Sequence, residues 1–326
     1  MQVIIPLAGK GTRLRPHTHL TPKPLIKVAG RPVMDWVMDK LEGLDVTELI
    51  IITGHLKAQV EQYVNSHYKI PARFVEQKVQ DGTAGAINLA RPLVKGPVLI
   101  IFVDTVFDAD LSIVNDCAEA GIIWAKEVED YQRFGVVVTD ANGHMTKIIE
   151  KPTEPVSKLA NIGLYYIRDV EALWKGIDHV LAAPKNKGEW YLTDAFQWMI
   201  DHGGKIRTAA VGGWYDCGAF DTTLETNAVL LERTKGGGPR KFSADVKIVE
   251  PCLIDEGVVI ERSTVGPHVV IEAGTVVRDS SVKNAIIGGH CRIERAELEE
   301  AMLGDRVVVV GHKGSASLGS DSEVWD

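Results

Sequence analysis

The sequence predicts an α/β protein in which a doubly wound mixed sheet is followed by a parallel β-helix. Between residues 3 and 103, apolar runs typical of buried strands alternate with helical patterns, and this order produces a parallel sheet with helices on both faces. Beyond residue 247, apolar residues recur every five or six positions, which is the pattern of a parallel β-helix. A glycine-rich stretch at 235–239 separates the two patterns and is typical of a linker.

The elements of the first region are predicted from their apolar periodicity. The predicted strands are residues 3–5, 49–52, 72–75, 98–103, 122–128, 134–139, 145–149, 162–167 and 206–211, and the predicted helices are residues 32–44, 56–68, 84–90, 170–181, 192–202 and 220–232. The change of rhythm after residue 121 predicts a mixed or antiparallel extension of a Rossmann-like sheet. Ligands of such sheets gather outside the carboxyl ends of the strands, so we expect the loops after Leu7, Val75 and Val103 to line one crevice.

The C-terminal repeat places one apolar residue on each face of a triangular coil. A β-sandwich with irregular turns is the alternative. The predicted limits are 1–235 for the first domain, 236–243 for the linker and 244–326 for the β-helix. The repeated apolar positions are Ile248, Ile254, Ile260, Val265, Ile271, Val277, Val282, Ile287, Ile293, Leu298 and Leu303.

Composition indicates an ordinary globular protein of 326 residues. The formal net charge of −8 argues against nucleic acid or an anionic membrane as a partner. The N-terminus is already a strand, without a charged n-region, and no apolar run is long enough to span a bilayer, so the cytoplasm is the expected location. The cysteines have no metal-binding spacing and are predicted to be reduced thiols; they are Cys117, Cys217, Cys252 and Cys291.

The loop that follows the first strand has the composition of a phosphate-binding turn. Gly9 and Gly11 allow positive φ and a close backbone approach, so that successive N–H groups can surround a phosphate. Thr12 adds a hydroxyl and Arg13 a fixed cation, and Lys23 stands between two prolines. Two cations and a ring of amides at a strand end suit a triphosphate that is being attacked.

This loop is neither of two common nucleotide-binding motifs. A dinucleotide fingerprint needs a third glycine where this chain has Leu14, and the Gly-Lys-Ser/Thr of a Walker A loop is absent. A tight turn with solvated basic residues is the alternative. Gly-x-Gly-Thr-Arg-Leu followed by Pro-Lys-Pro resembles the signature of the sugar-phosphate nucleotidyltransferases, of the glucose-1-phosphate thymidylyltransferase and uridylyltransferase type. The repeat resembles the left-handed β-helix domain that many of them carry.

The resemblance implies that residues 1–235 catalyse the joining of a nucleoside triphosphate to a sugar 1-phosphate, with release of pyrophosphate. Asp104 and Asp216 resemble the two aspartates that hold Mg²⁺ in this family, since Mg²⁺ prefers carboxylate and phosphate oxygens. For Asp104 alone, a helix cap or a turn residue is the alternative. The chain has Val103 where the family usually has glycine, and its branched side chain is expected to crowd the nucleotide. The implied nucleotide-binding residues are Leu7, Ala8, Gly9, Gly11, Thr12, Gln77, Gly82 and Thr83.

The same resemblance also implies which base, and hence which nucleoside triphosphate, the protein binds. A glutamine five residues before such a glycine reads a pyrimidine edge in this family, and Gln77 has the donor and acceptor that suit uracil or thymine. Gly82 permits backbone approach, and Thr83 adds a hydroxyl or caps the following helix. UTP or dTTP is favoured, while related guanylyltransferases, including mannose-1-phosphate enzymes, carry the same Gly-Thr-Ala-Gly.

The acceptor residues are also implied by the resemblance, with glucose 1-phosphate favoured. Glu150 and Lys151 match the family's Glu-Lys-Pro motif: Glu150 would accept hydrogen bonds from sugar hydroxyls, and Lys151 would bind the sugar's phosphate. A solvated ion pair at a strand end is the alternative. Gly135 and Asn161 resemble further sugar contacts. Catalysis would then depend on Arg13, Lys23 and Lys151. Glu189 and Asp194 resemble a segment near the sugar, where Thr193 or Asp194 could instead cap a helix.

Two other functions remain open at this point. A non-catalytic subunit that binds sugar nucleotides would be expected to lack an aspartate or the loop arginine, and both are present. Acyl transfer by the β-helix could use His268 or His290 as a base, although the repeat has no obvious inserted loop. Assembly into a homo-oligomer or a regulatory contact is the favoured role for the β-helix, because its ends leave strand edges to cover.

Overall fold

The computed structural model describes residues 1–237 and 242–326. Residues 238–241 of the predicted linker 236–243 lie outside the described residues. The chain divides into two compact units: the first comprises Met1–Lys10 and Val37–Trp214, and the second comprises Gly11–Trp36 and Tyr215–Asp326. The domain limits drawn from the sequence stay a prediction, as do the homo-oligomer and the cytoplasmic location.

The predicted strands and helices all occur in the predicted order, and their ends differ by at most three residues except in the first helix, which ends at Met38 where the prediction ran to residue 44. The strands before the β-helix are β1 (Gln2–Pro6), β2 (Lys27–Val28), β3 (Arg31–Pro32), β4 (Glu48–Thr53), β5 (Ala72–Glu76), β6 (Val98–Ile101), β7 (Thr105–Asp108), β8 (Gly121–Glu127), β9 (Gly135–Thr139), β10 (Met145–Glu150), β11 (Leu159–Ile167), β12 (Ile206–Ala210) and β13 (Gly213–Asp216). The short strands β2, β3, β7 and β13 were not predicted. The helices are α1 (Val33–Met38), α2 (Lys57–His67), α3 (Thr83–Asn88), α4 (Val170–Ala182), α5 (Leu192–Asp201) and α6 (Phe220–Thr234). Short 3₁₀ helices lie at Thr12–Leu14, His17–His19, Lys23–Leu25, Asp39–Leu41, Arg91–Leu93, Ser112–Val114 and Tyr131–Arg133.

The first unit is built on a mixed sheet with the strand order β10-β9-β11-β6-β1-β4-β5. Strands β6, β1, β4 and β5 are parallel, and β11 pairs antiparallel with β6, β8 and β9. Ile4 lies in register with Ile50 and Ile100, and all three are completely buried, as expected for strands covered on both faces. The carboxyl ends of β1, β4, β5 and β6 therefore meet at one edge of the sheet.

Helices α4 and α5 cover part of this sheet through a shared apolar core. Asp169 caps α4, because its carboxylate accepts a hydrogen bond from Ala172 N at 3.0 Å. Leu173, Ile177 and Phe196 belong to the core cluster that also contains the central strands. The helical periodicity read from the sequence is thus the packing face of these two helices.

The structure around Asp104 differs from one interpretation of the sequence. Strand β6 ends at Ile101, two residues earlier than predicted, and the residue after Asp104 begins β7 rather than a helix. The interpretation of Asp104 as a helix cap is therefore wrong. Val103 is buried, with 5% of its surface exposed.

The second unit contains the β-helix, whose strands run in parallel from coil to coil. Ten of the eleven repeated positions are buried, and Ile248 is partly buried, so the hexapeptide interpretation is confirmed and the β-sandwich alternative is wrong. These strands are β14 (Lys247–Ile248), β15 (Cys252–Ile254), β16 (Val259–Glu261), β17 (Thr264–Val265), β18 (Val269–Ile271), β19 (Val276–Arg278), β20 (Ser281–Ile287), β21 (Arg292–Glu294), β22 (Glu297–Leu303), β23 (Val308–Val310), β24 (Lys313–Leu318) and β25 (Glu323–Trp325).

Candidate functional site

Three of the predicted acceptor residues converge in the first unit. Gly135 begins β9, Glu150 ends β10 and Asn161 lies on the neighbouring β11. Asn161 Nδ2 donates a hydrogen bond to Gly135 O at 2.9 Å. A Cβ atom at Gly135 would lie 2.3 Å from Asn161 Nδ2 and 2.8 Å from Glu150 Oε2. The absence of a side chain at Gly135 is what allows the other two polar groups to approach each other, and we call the three residues the acceptor cluster.

The acceptor cluster is held by two residues that the sequence analysis did not place there. Tyr165 donates its hydroxyl proton to Asn161 Oδ1, and Thr193 Oγ1 donates to Glu150 Oε2 at 3.2 Å. Tyr165 is in the same strand as Asn161, four residues further on, and this spacing along a strand is the signal that could have identified it. Thr193 lies in the 189–194 segment that was identified, but its role was taken to be capping.

Glu150 is a partly buried carboxyl with opposing influences on its charge. Burial raises the pKa of Glu150, while the adjacent Lys151 and the hydrogen bond from Thr193 lower it. Lys151 has a positive φ of 44°, and its ammonium group lies 5.5 Å from the centre of the Tyr191 ring. Glu150 is less solvated than a surface ion pair at a strand end would be, although Lys151 is exposed. A partly buried acceptor beside a cation can bind hydroxyl groups together with an anion.

The capping interpretation of Thr193 and Asp194 is also wrong. Tyr191 is the N-cap of α5 and makes no side-chain capping hydrogen bond. Burial raises the pKa of Asp194. Glu189 and Asp194 both line a cavity of about 230 Å³ together with Trp190 and other residues of α4 and α5.

The predicted base-reading residues form a tight loop in the first unit. Gln77 is buried, and its Nε2 donates to Asp81 Oδ1 at 3.0 Å and to Gly82 O at 3.3 Å. These two bonds use both amide protons, which leaves Oε1 as the atom of Gln77 that can read a base by accepting a ring N–H. Gly82 has a φ of 118°, and a Cβ there would lie 2.3 Å from Trp190 O. Local packing thus already requires this glycine.

Thr83 does not cap its own helix, as one interpretation had it. Gly82 is the N-cap of α3, and no side chain caps it. The Thr83 hydroxyl instead accepts a hydrogen bond from Leu192 N at 2.8 Å, at the start of α5. We call residues 77–83 the base loop. The Thr83 hydroxyl therefore joins the base loop to the helix that carries Thr193, and this contact links the two predicted substrate subsites within the first unit.

The end of β1 brings Leu7, Ala8 and Gly9 to the edge where the parallel strands finish. Leu7 N donates to Ile52 O at 2.7 Å, and Gln80 Nε2 donates to Ala8 O. A Cβ at Gly9 would meet no atom of the described residues within 4 Å, and Gly9 does not have a positive φ. Gly9 does not use the positive φ that glycine allows, and the open space beside its backbone permits a ligand to approach closely.

In the second unit, Gly11 has the positive φ that a glycine in this turn allows. Gly11 has a φ of 61°, and a Cβ there would lie 2.9 Å from Thr18 Cγ2 and 3.2 Å from Lys23 Cβ. Thr18 Oγ1 donates to Gly11 O at 2.8 Å. Gly11 therefore combines the left-handed conformation with the close contact that keeps Lys23 beside the loop, and Thr12 begins the 3₁₀ helix that carries Arg13.

Arg13 and Asp216 approach each other at Gly218. Gly218 N donates to Asp216 Oδ1 at 2.8 Å, and a Cβ at Gly218 would lie 3.1 Å from Arg13 Nη2. Thr226 Oγ1 on α6 donates to Asp216 O at 2.8 Å. The backbone of Asp216 is fixed by a buried hydroxyl, and its carboxylate is oriented by an amide beside a guanidinium group.

The two predicted metal ligands fit Mg²⁺ by their chemistry. Over residues 1–237 and 242–326, no three His, Cys, Asp or Glu side chains are grouped so that they could hold a metal ion by themselves. Mg²⁺ is usually bound by one or two carboxylates together with phosphate oxygens and water, and Asp104 and Asp216 supply such oxygens. Asp216 keeps its hydrogen bond from Gly218 N through one oxygen, and a carboxylate has further lone pairs for a cation.

Some further predictions can be compared with the structure. All four cysteines are unpaired and buried, as expected. Within the described part of the chain, no helix combines the length and the apolar character that crossing a lipid bilayer requires. In the β-helix, His268 Nε2 is paired with Glu232 Oε1 at 2.7 Å.

Comparison with known proteins defines the class to which this fold and these residues belong. The sequence pattern of the nucleotidyl transferase family matches residues 2–233, and this chain belongs to that family. The match covers the whole mixed sheet and the segments that carry Arg13, Asp104 and Asp216.

The similar proteins narrow the class to sugar-phosphate nucleotidyltransferases, which confirms the resemblance. The UTP–glucose-1-phosphate uridylyltransferase AglF of Haloferax volcanii is 31% identical over 245 residues, which are 72% of this chain and 98% of that protein. The bifunctional protein GlmU of Methanocaldococcus jannaschii is 34% identical over 262 residues, 79% of this chain but 61% of that protein's length. A crystal structure of UDP-glucose pyrophosphorylase with UDP-glucose has a TM-score of 0.64 at 22% identity, over 71% of this chain and 98% of that one; it shows the fold.

Proposed function

We propose that this protein transfers a nucleotidyl group from dTTP or UTP to glucose 1-phosphate and releases pyrophosphate. The observation that carries the proposal is the acceptor cluster, in which Gly135, Glu150 and Asn161 meet next to Lys151. Family membership supports the reaction type, and the name of AglF supports UTP and glucose 1-phosphate as substrates.

The sugar ring and the phosphate of the acceptor substrate are each matched by a different protein group. Glu150 accepts hydrogen bonds from sugar hydroxyls, and burial makes these bonds stronger than they would be in water. Lys151 binds the phosphate of the sugar as a point charge. Asn161 uses one Nδ2 proton toward Gly135 O and its Oδ1 toward Tyr165, which fixes the amide and leaves the second Nδ2 proton for a sugar hydroxyl.

The triphosphate is bound by the loop after β1. The N–H groups around Gly9 and Gly11, with the cations of Arg13 and Lys23, neutralise the phosphate oxygens. A phosphate oxygen of the sugar phosphate attacks the α-phosphorus in line, the bond from that phosphorus to the β-bridging oxygen breaks, and pyrophosphate leaves with the electron pair. The nucleophile is already an anion, so no general base is required, and catalysis consists of alignment and charge neutralisation.

Asp104 and Asp216 are the residues that would hold a magnesium ion. Bound there, the ion would supply further neutralisation of charge on the phosphates. Within the second unit, Arg13 and Asp216 both lie near Gly218, so a cation and a carboxylate stand side by side there.

Gln77 supports a base with a ring N–H at its Watson–Crick edge. Its Oε1 can accept from N3–H of uracil or thymine, and N1–H of guanine offers the same type of donor. The geometry therefore favours these bases over adenine and cytosine, whose corresponding ring nitrogens are acceptors.

A panel of nucleoside triphosphates against sugar 1-phosphates, with Mg²⁺ present, tests the proposal by pyrophosphate release. We expect the highest kcat/KM for dTTP or UTP with glucose 1-phosphate, and no release when the sugar phosphate is omitted. A preference for GTP and mannose 1-phosphate would contradict the proposed substrates but agree with the proposed type of reaction. Absence of pyrophosphate release with every pair would contradict the proposal and favour a non-catalytic binding protein.

A further inference from the structure

The stretch that carries Arg13 and Lys23 belongs to the same compact unit as the β-helix. We call residues 11–36 the loop segment. Polar contacts join the loop segment to the β-helix. His17 Nε2 lies 3.2 Å from Ser317 Oγ, and Lys27 Nζ donates a hydrogen bond to Glu272 Oε2 at 2.8 Å. Burial lowers the pKa of His17 to about 4, so the ring is neutral at pH 7 and its contact with Ser317 is an ordinary hydrogen bond.

Two steric contacts accompany these polar ones. A Cβ at Gly319 of the β-helix would lie 3.2 Å from Pro16 Cβ, and a Cβ at Gly30 of the loop segment would lie 2.2 Å from Leu253 Cδ2. Gly30 also has a φ of 78°. The loop segment and the β-helix thus each have a glycine where the other approaches closely. Such close contacts are expected where two surfaces pack tightly against each other.

A short path leads from these contacts to the predicted catalytic cations. His17 is followed by Thr18, which is buried and donates to Gly11 O at 2.8 Å. Thr18 and Lys23 are the side chains closest to Gly11. A displacement of His17 would therefore move Thr18, the turn at Gly11 and the 3₁₀ helix that presents Arg13.

A second path runs through α6. Asn227 is completely buried; its Oδ1 accepts from Ala29 N at 2.8 Å, and its Nδ2 donates to His268 O at 3.3 Å. The preceding residue, Thr226, donates to Asp216 O. One turn of α6 thus contacts the loop segment, the β-helix and the predicted metal ligand.

We propose that the β-helix positions the loop segment, through Ser317 against His17 and Glu272 against Lys27, and thereby sets the catalytic orientation of Arg13 and Lys23. The inference rests on the proposed function for the roles of these two cations. Ser317 and Glu272 are positioning residues in this account, because they act on the reaction through the loop segment and do not touch the substrate.

The test compares Glu272→Gln and Ser317→Ala with Glu299→Gln in the full chain. Glu299, also on the β-helix, forms an ion pair with Lys283 at 2.5 Å, compared with 2.8 Å for Lys27 and Glu272. Lys283, however, is itself a residue of the β-helix. Partly exposed ion pairs contribute little to global stability, so the melting temperature should barely change in any of the Glu→Gln variants. Hydrogen–deuterium exchange of residues 11–27 and the kinetic constants for nucleotide and sugar phosphate are measured for each variant.

We expect Glu272→Gln and Ser317→Ala to increase exchange in residues 11–27 and to lower kcat by about three- to ten-fold, since small misplacements of aligned groups are costly, with KM for the sugar phosphate nearly unchanged. Glu299→Gln should change neither quantity. The charge-reversed pair Lys27→Glu with Glu272→Lys should recover most of the loss. Unchanged exchange in residues 11–27, or increased exchange with wild-type kcat, would overturn the inference. If the wild-type protein has no activity, the proposed function fails, while the exchange comparison still decides whether the β-helix holds the loop segment.

Discussion

The substitution Gly135→Ala tests the acceptor cluster most sharply. The added Cβ would lie 2.3 Å from Asn161 Nδ2 and 2.8 Å from Glu150 Oε2, whereas ordinary contacts begin near 3.4 Å. The Asn161 amide would have to move by about 1 Å, and it is held by hydrogen bonds to Gly135 O and from Tyr165. Overpacking of this kind costs about 1–3 kcal/mol.

If this cost falls on acceptor binding, it corresponds to a loss of about 5- to 150-fold in kcat/KM for glucose 1-phosphate. KM for the nucleotide should change much less, because the side chains nearest to a Cβ at Gly135 belong to Asn161, Glu150 and Thr193 and not to residues 77–83. The assay is initial-rate pyrophosphate release with each substrate varied in turn. Differential scanning calorimetry measures how much of the cost falls on stability instead.

Gly96→Ala is the matched control for Gly135→Ala. A Cβ at Gly96 would meet no atom of the described residues within 4 Å, and Gly96 does not have a positive φ. It should therefore retain wild-type kinetics and stability. Wild-type KM for glucose 1-phosphate in Gly135→Ala, with an unchanged melting temperature, would refute the reasoning about the cluster.

Three further substitutions test the other parts of the site. Arg13→Ala should lower kcat by about 10²-fold, because a charge aimed at the transition state is lost, with a smaller effect on KM for the sugar phosphate; steady-state kinetics would refute this by showing wild-type turnover. Asp216→Asn keeps an acceptor for Gly218 N but loses the charge, so it should fold normally and lose about 10²-fold or more in kcat; an active variant would contradict the metal assignment. Burial raises the pKa of folded Glu150, so its charge costs stability above that pKa. Glu150→Gln should therefore raise the melting temperature at pH 8 and have little effect near pH 4, and an equal shift at both pH values would exclude this cause.

Periodicity predicted the sheet and the β-helix because both are produced by repeated burial of apolar side chains. Ile4, Ile50 and Ile100 are buried and in register, and each lies in an apolar run that is visible in the sequence. The positions Val265, Val277 and Val282 are completely buried in the coil for the same reason. Side chains that are buried at regular intervals appear in the sequence as regularly spaced apolar residues, so a short stretch is enough to recognise them.

Contacts between distant segments could not be read in this way. Lys27 and Glu272 are 245 residues apart, and neither belongs to a repeat or a motif that indicates the other. The membership of residues 11–36 in the second unit was therefore not predicted. Thr83 illustrates the same limit, because its partner Leu192 is 109 residues further along the chain, and a local capping interpretation was the natural but wrong one.

The candidate site was predictable where a glycine or a charge stands in a motif. Gly135, Glu150 and Asn161 do come together, and Gly11 has the positive φ expected of its turn. Tyr165 and Thr193 were missed as members of the cluster. The spacing of Tyr165 from Asn161 along β11 could have indicated the first, whereas the contact of Thr193 with Glu150 joins residues 43 positions apart and has no local signal. The roles of Asp104 and Asp216 stay predictions that depend on the nucleotide complex.

The central claim is that the sugar phosphate supplies the attacking oxygen and that the α-phosphorus receives it. Glucose 1-phosphate labelled with ¹⁸O at its three non-bridging phosphate oxygens tests this claim directly when it reacts with dTTP or UTP. Mass spectrometry should find all three labels in the nucleoside diphosphate sugar and none in pyrophosphate. Label in the pyrophosphate, or a nucleotide sugar that lacks one of the three, would contradict the account.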